Sequence, residues 1–156
     1  AEECIEPLTT LTAAEVDVTV ATPDGDPPVV DERSLDPEEV GETYAQEARE
    51  IHETDERLND PRPLASVDAA DYDAVVFPGG HGTVWDVNQD HHARAALRTA
   101  VAGEDGVALV VCHAVGLLTF TPDADGEFLV DGGLITARGP PSSAAAAETL
   151  LAELDS

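Results

Sequence analysis

The sequence predicts an α/β fold in which helices cover a mostly parallel β-sheet. Short apolar, β-branched runs alternate along the chain with helical patterns, which is the order typical of β-α-β units. Two of these runs end in a glycine loop or a cysteine turn, and ligands of such sheets bind at the carboxyl ends of the strands. A length of 156 residues suits one domain with a sizeable core.

The first third of the chain predicts a helix, a strand and a second helix. Residues 2–14 have a helical pattern with a proline in the early turns, and residues 16–20 alternate apolar and polar side chains as a strand does. A turn-rich loop over residues 22–28 follows. Residues 36–58 predict one polar helix with few apolar anchors, so we expect that helix to be mostly solvated.

The remainder of the chain continues the alternation of strands and helices. Residues 73–77 predict a short buried strand that ends in a glycine loop, and residues 90–102 an amphipathic helix. Residues 107–111 predict a strand, and residues 114–120 the helix after it. The last patterns are two short strands and a final helix, at residues 128–130, 134–136 and 142–154.

The charge of the chain is extreme. It carries 33 acidic residues against 7 basic ones, a formal net charge of -26, and all the basic residues are arginine. Such a surface repels nucleic acid and anionic membranes, so neither is expected as a partner. Molar salt shortens the Debye length to about 3 Å and screens the self-repulsion. We therefore expect a protein of an extreme halophile; an ordinary acidic protein is the alternative.

Cysteine and methionine usage limits the cellular setting. The two cysteines, Cys4 and Cys112, do not make a disulfide framework. No apolar run approaches a membrane span, and no signal peptide is visible, so we expect a cytoplasmic protein. The chain has no methionine and starts at Ala1, from which we expect that the amino terminus shown is not the translated one.

The stretch around Cys112 is the most informative of the sequence. An apolar run stops at this lone cysteine, His113 follows at once, and a helical pattern comes next. A strand, a sharp turn and a helix of this kind hold a nucleophile at the carboxyl end of a strand. The amino-terminal end of the helix should favour the thiolate over the thiol. A free cysteine is more often an inert core residue, but the turn position and the adjacent histidine favour a functional one.

Three features together resemble one known family. Glu3 lies four residues before Pro7, the loop 78–82 reads Pro-Gly-Gly-His-Gly, and Cys112 is followed by His113. The combination is similar to the ThiJ/PfpI superfamily of the class I glutamine amidotransferase-like fold. Within it the chain most resembles the branch of Hsp31-type chaperones and glutathione-independent glyoxalase III. This resemblance implies a flavodoxin-like, three-layer α/β/α sandwich, which would make residues 1–156 one domain.

The resemblance also implies a role for each matching residue. Cys112 would be the nucleophile, Glu3 the acid/base or hydrogen-bond partner of its sulfur, and His113 the second catalytic group. Backbone N–H groups of the glycine loop and of His113 would form the oxyanion hole. The substrate would be a small 2-oxoaldehyde, with no cofactor and no metal, and the protein would be a homodimer. The oxyanion and substrate-binding residues of the loop would be Gly79, Gly80 and His81.

Several of these residues also have a purely structural interpretation. Glu3 is one carboxylate among many and could be a surface charge on the first helix. His81 could serve only to shape the pocket. His91 and His92 suggest a metal site, but adjacent residues on a helix do not face one way, so a solvated helix end is favoured.

The chain departs from the family pattern in three places. The family begins with a hydrophobic strand before the Glu3 helix, and without it the sheet should have a gap. A segment near residues 130–131 resembles two family segments joined across a deletion, and the missing part would carry the acidic residue that orients the histidine. Ala114 and Val115 replace the usual Gly-Pro. We expect an incomplete view of a longer protein; a decayed paralogue is the alternative.

Two classes of function compete at this point. The first is a cysteine-dependent lyase that converts methylglyoxal to D-lactate, with protein deglycase or peptidase activity as related possibilities. The second is a holdase chaperone or a redox sensor, in which Cys112 oxidises reversibly without turnover. An exposed apolar patch would favour the chaperone, and a sulfenic or sulfinic acid on Cys112 would favour the sensor.

Overall fold

A computed structural model describes residues 1–103, 106–119, 134–137 and 143–154. The predicted strand at residues 128–130 and the predicted junction near 130–131 lie outside these residues. The described helices are α1 (Glu2–Ala13), α2 (Pro37–Val40), α3 (Glu42–Thr54), α4 (Glu56–Asn59), α5 (His91–Ala102), α6 (Gly116–Thr119) and α7 (Ser143–Leu154). The described strands are β1 (Ala21–Thr22), β2 (Arg62–Pro63), β3 (Ala74–Phe77), β4 (Val107–Val111) and β5 (Leu134–Ala137).

The strands form two separate parallel sheets in the described parts of the chain. One sheet has the order β3-β4-β5, with Ala74 opposite Val107 and Ala108 opposite Leu134. The other is the short pair β1-β2, in which Ala21 lies opposite Arg62. This arrangement confirms the predicted α/β class with a parallel sheet.

Helices cover both faces of the three-stranded sheet. Along β3, Val75 and Phe77 pack in a cluster with residues of α5 and α6, while Ala74 and Val76 pack with residues of α1 and α7. Strand β4 is buried on both faces at all five positions, as expected of a central strand in a parallel sheet. The layers therefore place α5 and α6 on one side and α1 and α7 on the other.

Residues 16–20 do not form a β-strand, so the strand predicted there is wrong. Those residues precede a ladder that contains only Ala21 and Thr22, because the pairing partner, β2, is two residues long. The side-chain alternation that suggested a strand remains, since Val18 and Val20 pack against the cluster under α1. Alternation of apolar residues reports which face is buried, but a strand also needs a neighbour of sufficient length.

Two predicted helices are also shorter than expected. The single helix predicted over residues 36–58 is three helices, because Gly41 has a left-handed φ of 87° and Asp55 is extended. Asp55 begins the next helix, since its side chain accepts a hydrogen bond from the N–H of Arg57. After β4 the chain first forms a 3-10 turn, residues 112–115, and the α-helix begins only at Gly116.

None of the helices in the described ranges is long and apolar enough to cross a membrane.

Candidate active site

Cys112 lies at the carboxyl end of the central strand in a strained turn. It follows β4 directly and has a left-handed φ of 51°, which is uncommon for a residue with a side chain. Such a conformation costs on the order of 1–3 kcal/mol and persists where the surrounding structure holds it. The turn leaves the thiol half-buried at the edge of the sheet. The strand and the sharp turn predicted around this cysteine are therefore present.

Gly79 brings Glu3 and Cys112 to one point. A Cβ atom on Gly79 would lie 2.6 Å from Glu3 Oε2 and 2.8 Å from Cys112 Cβ. It would also lie 2.5 Å from the carbonyl oxygen of Val111. Real Cβ contacts do not come this close, so only glycine allows the end of β3, the end of β4 and the start of α1 to meet here.

Glu3 is a buried carboxylate that hydrogen-bonds the sulfur of Cys112. It is the only acidic residue among the buried polar side chains of the described chain, and it is 7% exposed. Its hydrogen bond and its charge both act on Cys112. A buried carboxylate is costly unless it is hydrogen-bonded, which makes a surface-charge interpretation of Glu3 untenable.

Gly80 supplies a backbone N–H to the same sulfur. Its φ of 99° belongs to the region that favours glycine, although a side chain there would meet no neighbouring atom. The N–H groups of Gly80 and His113 both donate to the sulfur of Cys112. Two converging N–H donors can also stabilise an oxyanion that develops on a carbon bonded to the sulfur.

The acidity of Cys112 differs from the sequence-based expectation. Burial raises the pKa of this thiol, and the hydrogen bond and charge of Glu3 raise it further. The backbone N–H groups of His113 and Gly80 lower the pKa, but they do not outweigh the other causes. No α-helix begins at Cys112, because residues 112–115 form a 3-10 turn. The expected preference for thiolate was therefore wrong.

His113 and His81 lie on the exposed side of the sulfur. The Nδ1 atom of His113 is 3.2 Å from Cys112 Sγ, and both histidines are exposed. The two imidazole rings tilt against each other with their centroids 4.7 Å apart. In the described ranges no hydrogen bond joins the His113 imidazole to a carboxylate. The site thus joins Cys112 to a buried carboxylate on one side and to an exposed imidazole on the other.

Asn88 contributes to the site but has no signal in the sequence. It is 4% exposed, and its Nδ2 donates to the carbonyl oxygen of His113 over 2.9 Å. Gly116 leaves room for this contact, since a Cβ atom there would collide with Nδ2 of Asn88. An asparagine in a polar loop looks like any turn residue, so only the fold reveals that it supports the cysteine turn.

A cavity of about 570 Å³ opens beside the thiol. Its walls include Cys112 and His113, together with the apolar side chains of Val84 and Val115. These two valines are 42% and 47% exposed, and the neighbouring Trp85 is 81% exposed. A small carbonyl compound has ample space to reach the sulfur from this side.

The described residues contain no group of three side chains that could hold a metal ion. The rings of His91 and His92 lie 3.9 Å apart at the start of α5. They stand apart from the cavity that Cys112 and His113 line.

Several solved structures superpose on this chain and have the same fold. Glyoxalase III from Candida albicans superposes with a TM-score of 0.82 at 16% identity, over 97% of this chain and 86% of that one. The 24 kDa rapid encystment protein of Francisella tularensis superposes with a TM-score of 0.75 at 20% identity, over 98% of this chain and 88% of that one. A ThiJ/PfpI domain protein from Brachyspira murdochii superposes with a TM-score of 0.70 at 19% identity, over 99% of this chain and 88% of that one. At such identities the likeness shows the fold alone.

A search among curated proteins finds no match. The pattern of the DJ-1/PfpI family matches residues 1–126, which include Glu3, the glycine loop and the cysteine turn. The chain therefore belongs to the DJ-1/PfpI family.

Proposed function

We propose that this protein is a cysteine-dependent lyase that converts methylglyoxal to D-lactate without glutathione. The observation that carries the proposal is the buried carboxylate of Glu3, hydrogen-bonded to the sulfur of Cys112. An isomerisation of a 2-oxoaldehyde needs a thiolate, a proton carrier and oxyanion donors in one pocket. Around one sulfur atom the chain has a thiol, a buried carboxylate that can take its proton, and two backbone N–H donors. The glyoxalase III likeness of the fold supports this choice of reaction.

The first step joins the substrate to the protein. Glu3 takes the proton of the Cys112 thiol, and the resulting thiolate adds to the aldehyde carbon of methylglyoxal. The carbonyl oxygen becomes an oxyanion, which takes this proton back from Glu3 to give a hemithioacetal. The N–H groups of Gly80 and His113 would stabilise that oxyanion. The sulfur is part of the protein, so no external thiol is needed in this step.

The second step moves a proton between adjacent carbon atoms. A base removes the proton from the former aldehyde carbon, and the electrons form an enediolate. Reprotonation at the neighbouring carbon leaves a thioester, which water hydrolyses to D-lactate and the free thiol of Cys112. Glu3 is assigned to this proton transfer because its carboxylate touches the sulfur that carries the substrate. His113 is assigned as the second acid/base group because Nδ1 lies 3.2 Å from that sulfur.

Substrate access is assigned to the cavity beside Cys112. Gly79 allows Glu3 and Cys112 to approach each other closely, and Gly80 donates an N–H to the sulfur. His81 is assigned to substrate binding because its ring contacts that of His113, which lines the cavity. The reaction described needs neither a metal ion nor an organic cofactor. We therefore propose a small 2-oxoaldehyde as the substrate and assign no cofactor.

A holdase chaperone is the second candidate function. Four large apolar side chains are exposed in the described chain, and three of them are Val84, Trp85 and Val115. Val84 and Val115 line this cavity, and Trp85 follows Val84 in the sequence. Apolar side chains exposed together often mark a surface that contacts another protein. The same residues suit a homodimer interface, and we propose a homodimer on that ground.

The composition supports a cytoplasmic, halophilic setting. A net charge of -26 without lysine is suited to a protein that works in molar salt, where the repulsion is screened. We assign the chain to the Hsp31-type branch of its family, on the motifs around Glu3, the glycine loop and Cys112.

The test is methylglyoxal consumption in molar KCl without glutathione, with D-lactate measured enzymatically and circular dichroism confirming that the sample is folded. The proposal predicts D-lactate in proportion to the methylglyoxal consumed. A folded protein that consumes none would reject the lyase. Suppression of the aggregation of a denatured client protein by such a sample would then support the holdase.

A further inference from the structure

The cavity beside the sulfur of Cys112 has room for a substrate larger than methylglyoxal. Its volume is about 570 Å³, and pockets of roughly 300–1,000 Å³ commonly hold drug-sized ligands. A three-carbon compound bonded to the sulfur would occupy only a part of this space. The group on the keto carbon of the substrate, which is a methyl group in methylglyoxal, can therefore be considerably larger.

Two valines give this cavity an apolar wall next to the reacting groups. Val84 and Val115 line it together with Cys112 and His113. The two valines are 42% and 47% exposed, and they are two of the four large apolar side chains that are exposed in the described chain. A substrate group that covers them would remove apolar surface from water, which favours an apolar group at this place.

The amide side chains of the wall are engaged by the protein itself. Asn88 Nδ2 donates to the carbonyl oxygen of His113 over 2.9 Å, and Asn88 Oδ1 is buried. Gln89 Nε2 donates to the carbonyl oxygen of Val84 over 2.9 Å. Among the residues that the structure describes, no arginine, aspartate or glutamate lines this cavity. An anionic or hydroxylated group on the substrate would therefore leave water and find few partners.

The same hydrogen bonds hold the two valines in place. The contact between Gln89 and the carbonyl group of Val84 closes the loop of residues 84–89. The contact between Asn88 and His113 joins this loop to the turn of residues 112–115, which ends at Val115. The apolar wall thus has a fixed position relative to the sulfur, so little conformational entropy is lost when a substrate binds.

We propose that the preferred substrate is a 2-oxoaldehyde whose keto carbon carries a branched alkyl group, with Val84 and Val115 as the residues that determine this specificity. The inference rests on the proposed lyase activity and narrows its substrate class. In isobutylglyoxal, a compound of this class, the aldehyde carbon bonds to the sulfur of Cys112 and the isobutyl group covers the two valines.

The branched group takes no part in the bond changes. The thiol adds to the aldehyde carbon, and a proton then moves from that carbon to the former keto carbon, which leaves a thioester. Water cleaves the thioester, so that isobutylglyoxal and one water molecule give the corresponding 2-hydroxy acid and the free thiol of Cys112. The added carbon atoms therefore act through binding alone.

The experiment compares isobutylglyoxal with methylglyoxal as substrates of the unaltered chain in molar KCl, with each 2-hydroxy acid measured by mass spectrometry. Burial of one CH₂ group favours binding about fourfold, so three added carbon atoms that are partly covered should raise kcat/KM roughly tenfold. The gain should appear mainly as a lower KM, because the alkyl group is remote from the reacting atoms. An equal or lower kcat/KM for isobutylglyoxal would overturn the proposal.

A second pair of substrates separates polarity from size. Ethylglyoxal and hydroxymethylglyoxal have the same shape, but a methyl group in the first is a hydroxyl group in the second. The proposal predicts a kcat/KM that is roughly threefold higher or more for ethylglyoxal, because the hydroxyl group loses water at an apolar wall. A preference for hydroxymethylglyoxal would assign the cavity to hydroxylated substrates and overturn the proposal.

The two valines are tested by substitutions that keep the shape of the side chain. Val84→Thr and Val115→Thr each place a hydroxyl group on the apolar wall. The measured quantity is the ratio of kcat/KM for isobutylglyoxal to kcat/KM for methylglyoxal in the same variant, so a general loss of activity cancels. Each variant should lower this ratio roughly threefold.

Val29→Thr is the matched control, because Val29 is 97% exposed and does not line the cavity. This variant should keep the ratio of the unaltered chain. Equal ratios in all four proteins would contradict the assignment of specificity to Val84 and Val115.

Failure of this proposal is distinguishable from failure of the proposed function. A folded chain that converts methylglyoxal without preferring isobutylglyoxal would reject the substrate class alone and leave the lyase intact. A folded chain that converts neither compound would reject the lyase and this substrate class together.

Discussion

Asn88 donates a hydrogen bond from Nδ2 to the carbonyl oxygen of His113, over 2.9 Å. This contact connects the loop that follows the glycine turn to the backbone that carries Cys112 and His113. Gly116 is the reason it can form, because a Cβ atom there would collide with the amide of Asn88. The strained turn at Cys112 is thus held from one side by Asn88 and from the other by the groups packed around Gly79.

Asn88→Ala should reduce kcat for methylglyoxal by roughly tenfold or more, because small displacements of catalytic groups cost large factors in rate. The change removes the donor to the His113 carbonyl but leaves the charged groups around the sulfur in place. Steady-state kinetics measures kcat and KM separately. Gly116→Ala should have the same direction of effect, since its methyl group would displace the Asn88 amide. Unchanged kcat in both variants would remove Asn88 from the support of the site.

Gly79→Ala should destabilise the fold and abolish turnover. Its methyl group would lie within 2.8 Å of three atoms of the site, and such overpacking costs about 1–3 kcal/mol. Gly82→Ala is the matched control in the same loop, because a Cβ atom there meets nothing within 4 Å and its φ is not left-handed. Thermal melting and the turnover assay are run on both. Equal losses in the two variants would show that the loop tolerates no side chain for reasons unrelated to Glu3 and Cys112.

Glu3→Gln should lower the pKa of Cys112, because the carboxylate charge is one of the causes that raise it. The thiolate fraction at neutral pH then increases, so iodoacetamide should alkylate Cys112 faster. Turnover should fall in the same variant, because glutamine cannot carry the proton. The pH dependence of alkylation measures the shift, and Cys112→Ala identifies the reacting sulfur. Glu2→Gln, in the same turn of α1, is the control. Slower alkylation of Glu3→Gln would contradict the electrostatic role given to Glu3.

Stability should rise steeply with salt. Between about 0.1 M and 1 M KCl the Debye length falls from roughly 10 Å to 3 Å, so the repulsion within a chain of net charge -26 is screened. Thermal melting by circular dichroism should show a Tm that increases across this range. A Tm that is constant or falls would argue against the halophilic interpretation of the composition.

The sequence predicted the layered α/β class because β3, β4, β5 and the helices α1, α5 and α7 have strong local patterns. The sequence-based prediction failed where the secondary structure of a segment depends on residues distant in the sequence or on capping geometry. Residues 16–20 alternate correctly, but the length of β2 decides how far their ladder extends. Gly41 and Asp55 interrupt the predicted long helix through capping geometry that a periodicity of side chains does not report.

The candidate site was predictable to the extent that its residues follow a motif. Glu3, the glycine loop and Cys112 are far apart in sequence, and the fold brings them within contact of one another. The acidity of Cys112 was not predictable, since it depends on burial and on which charge lies nearest. Asn88 was not predictable either, because its partner is a backbone carbonyl 25 residues away.

The central claim is that Cys112 is the nucleophile of a glutathione-independent lyase. The most direct test compares D-lactate formation from methylglyoxal by the unaltered chain, by Cys112→Ala and by Cys4→Ala, which removes the other cysteine. All three are assayed in molar KCl after circular dichroism has shown that they are folded. The account predicts that Cys112→Ala forms no D-lactate and that Cys4→Ala retains activity. D-Lactate formation by a folded Cys112→Ala at the rate of the unaltered chain would contradict it.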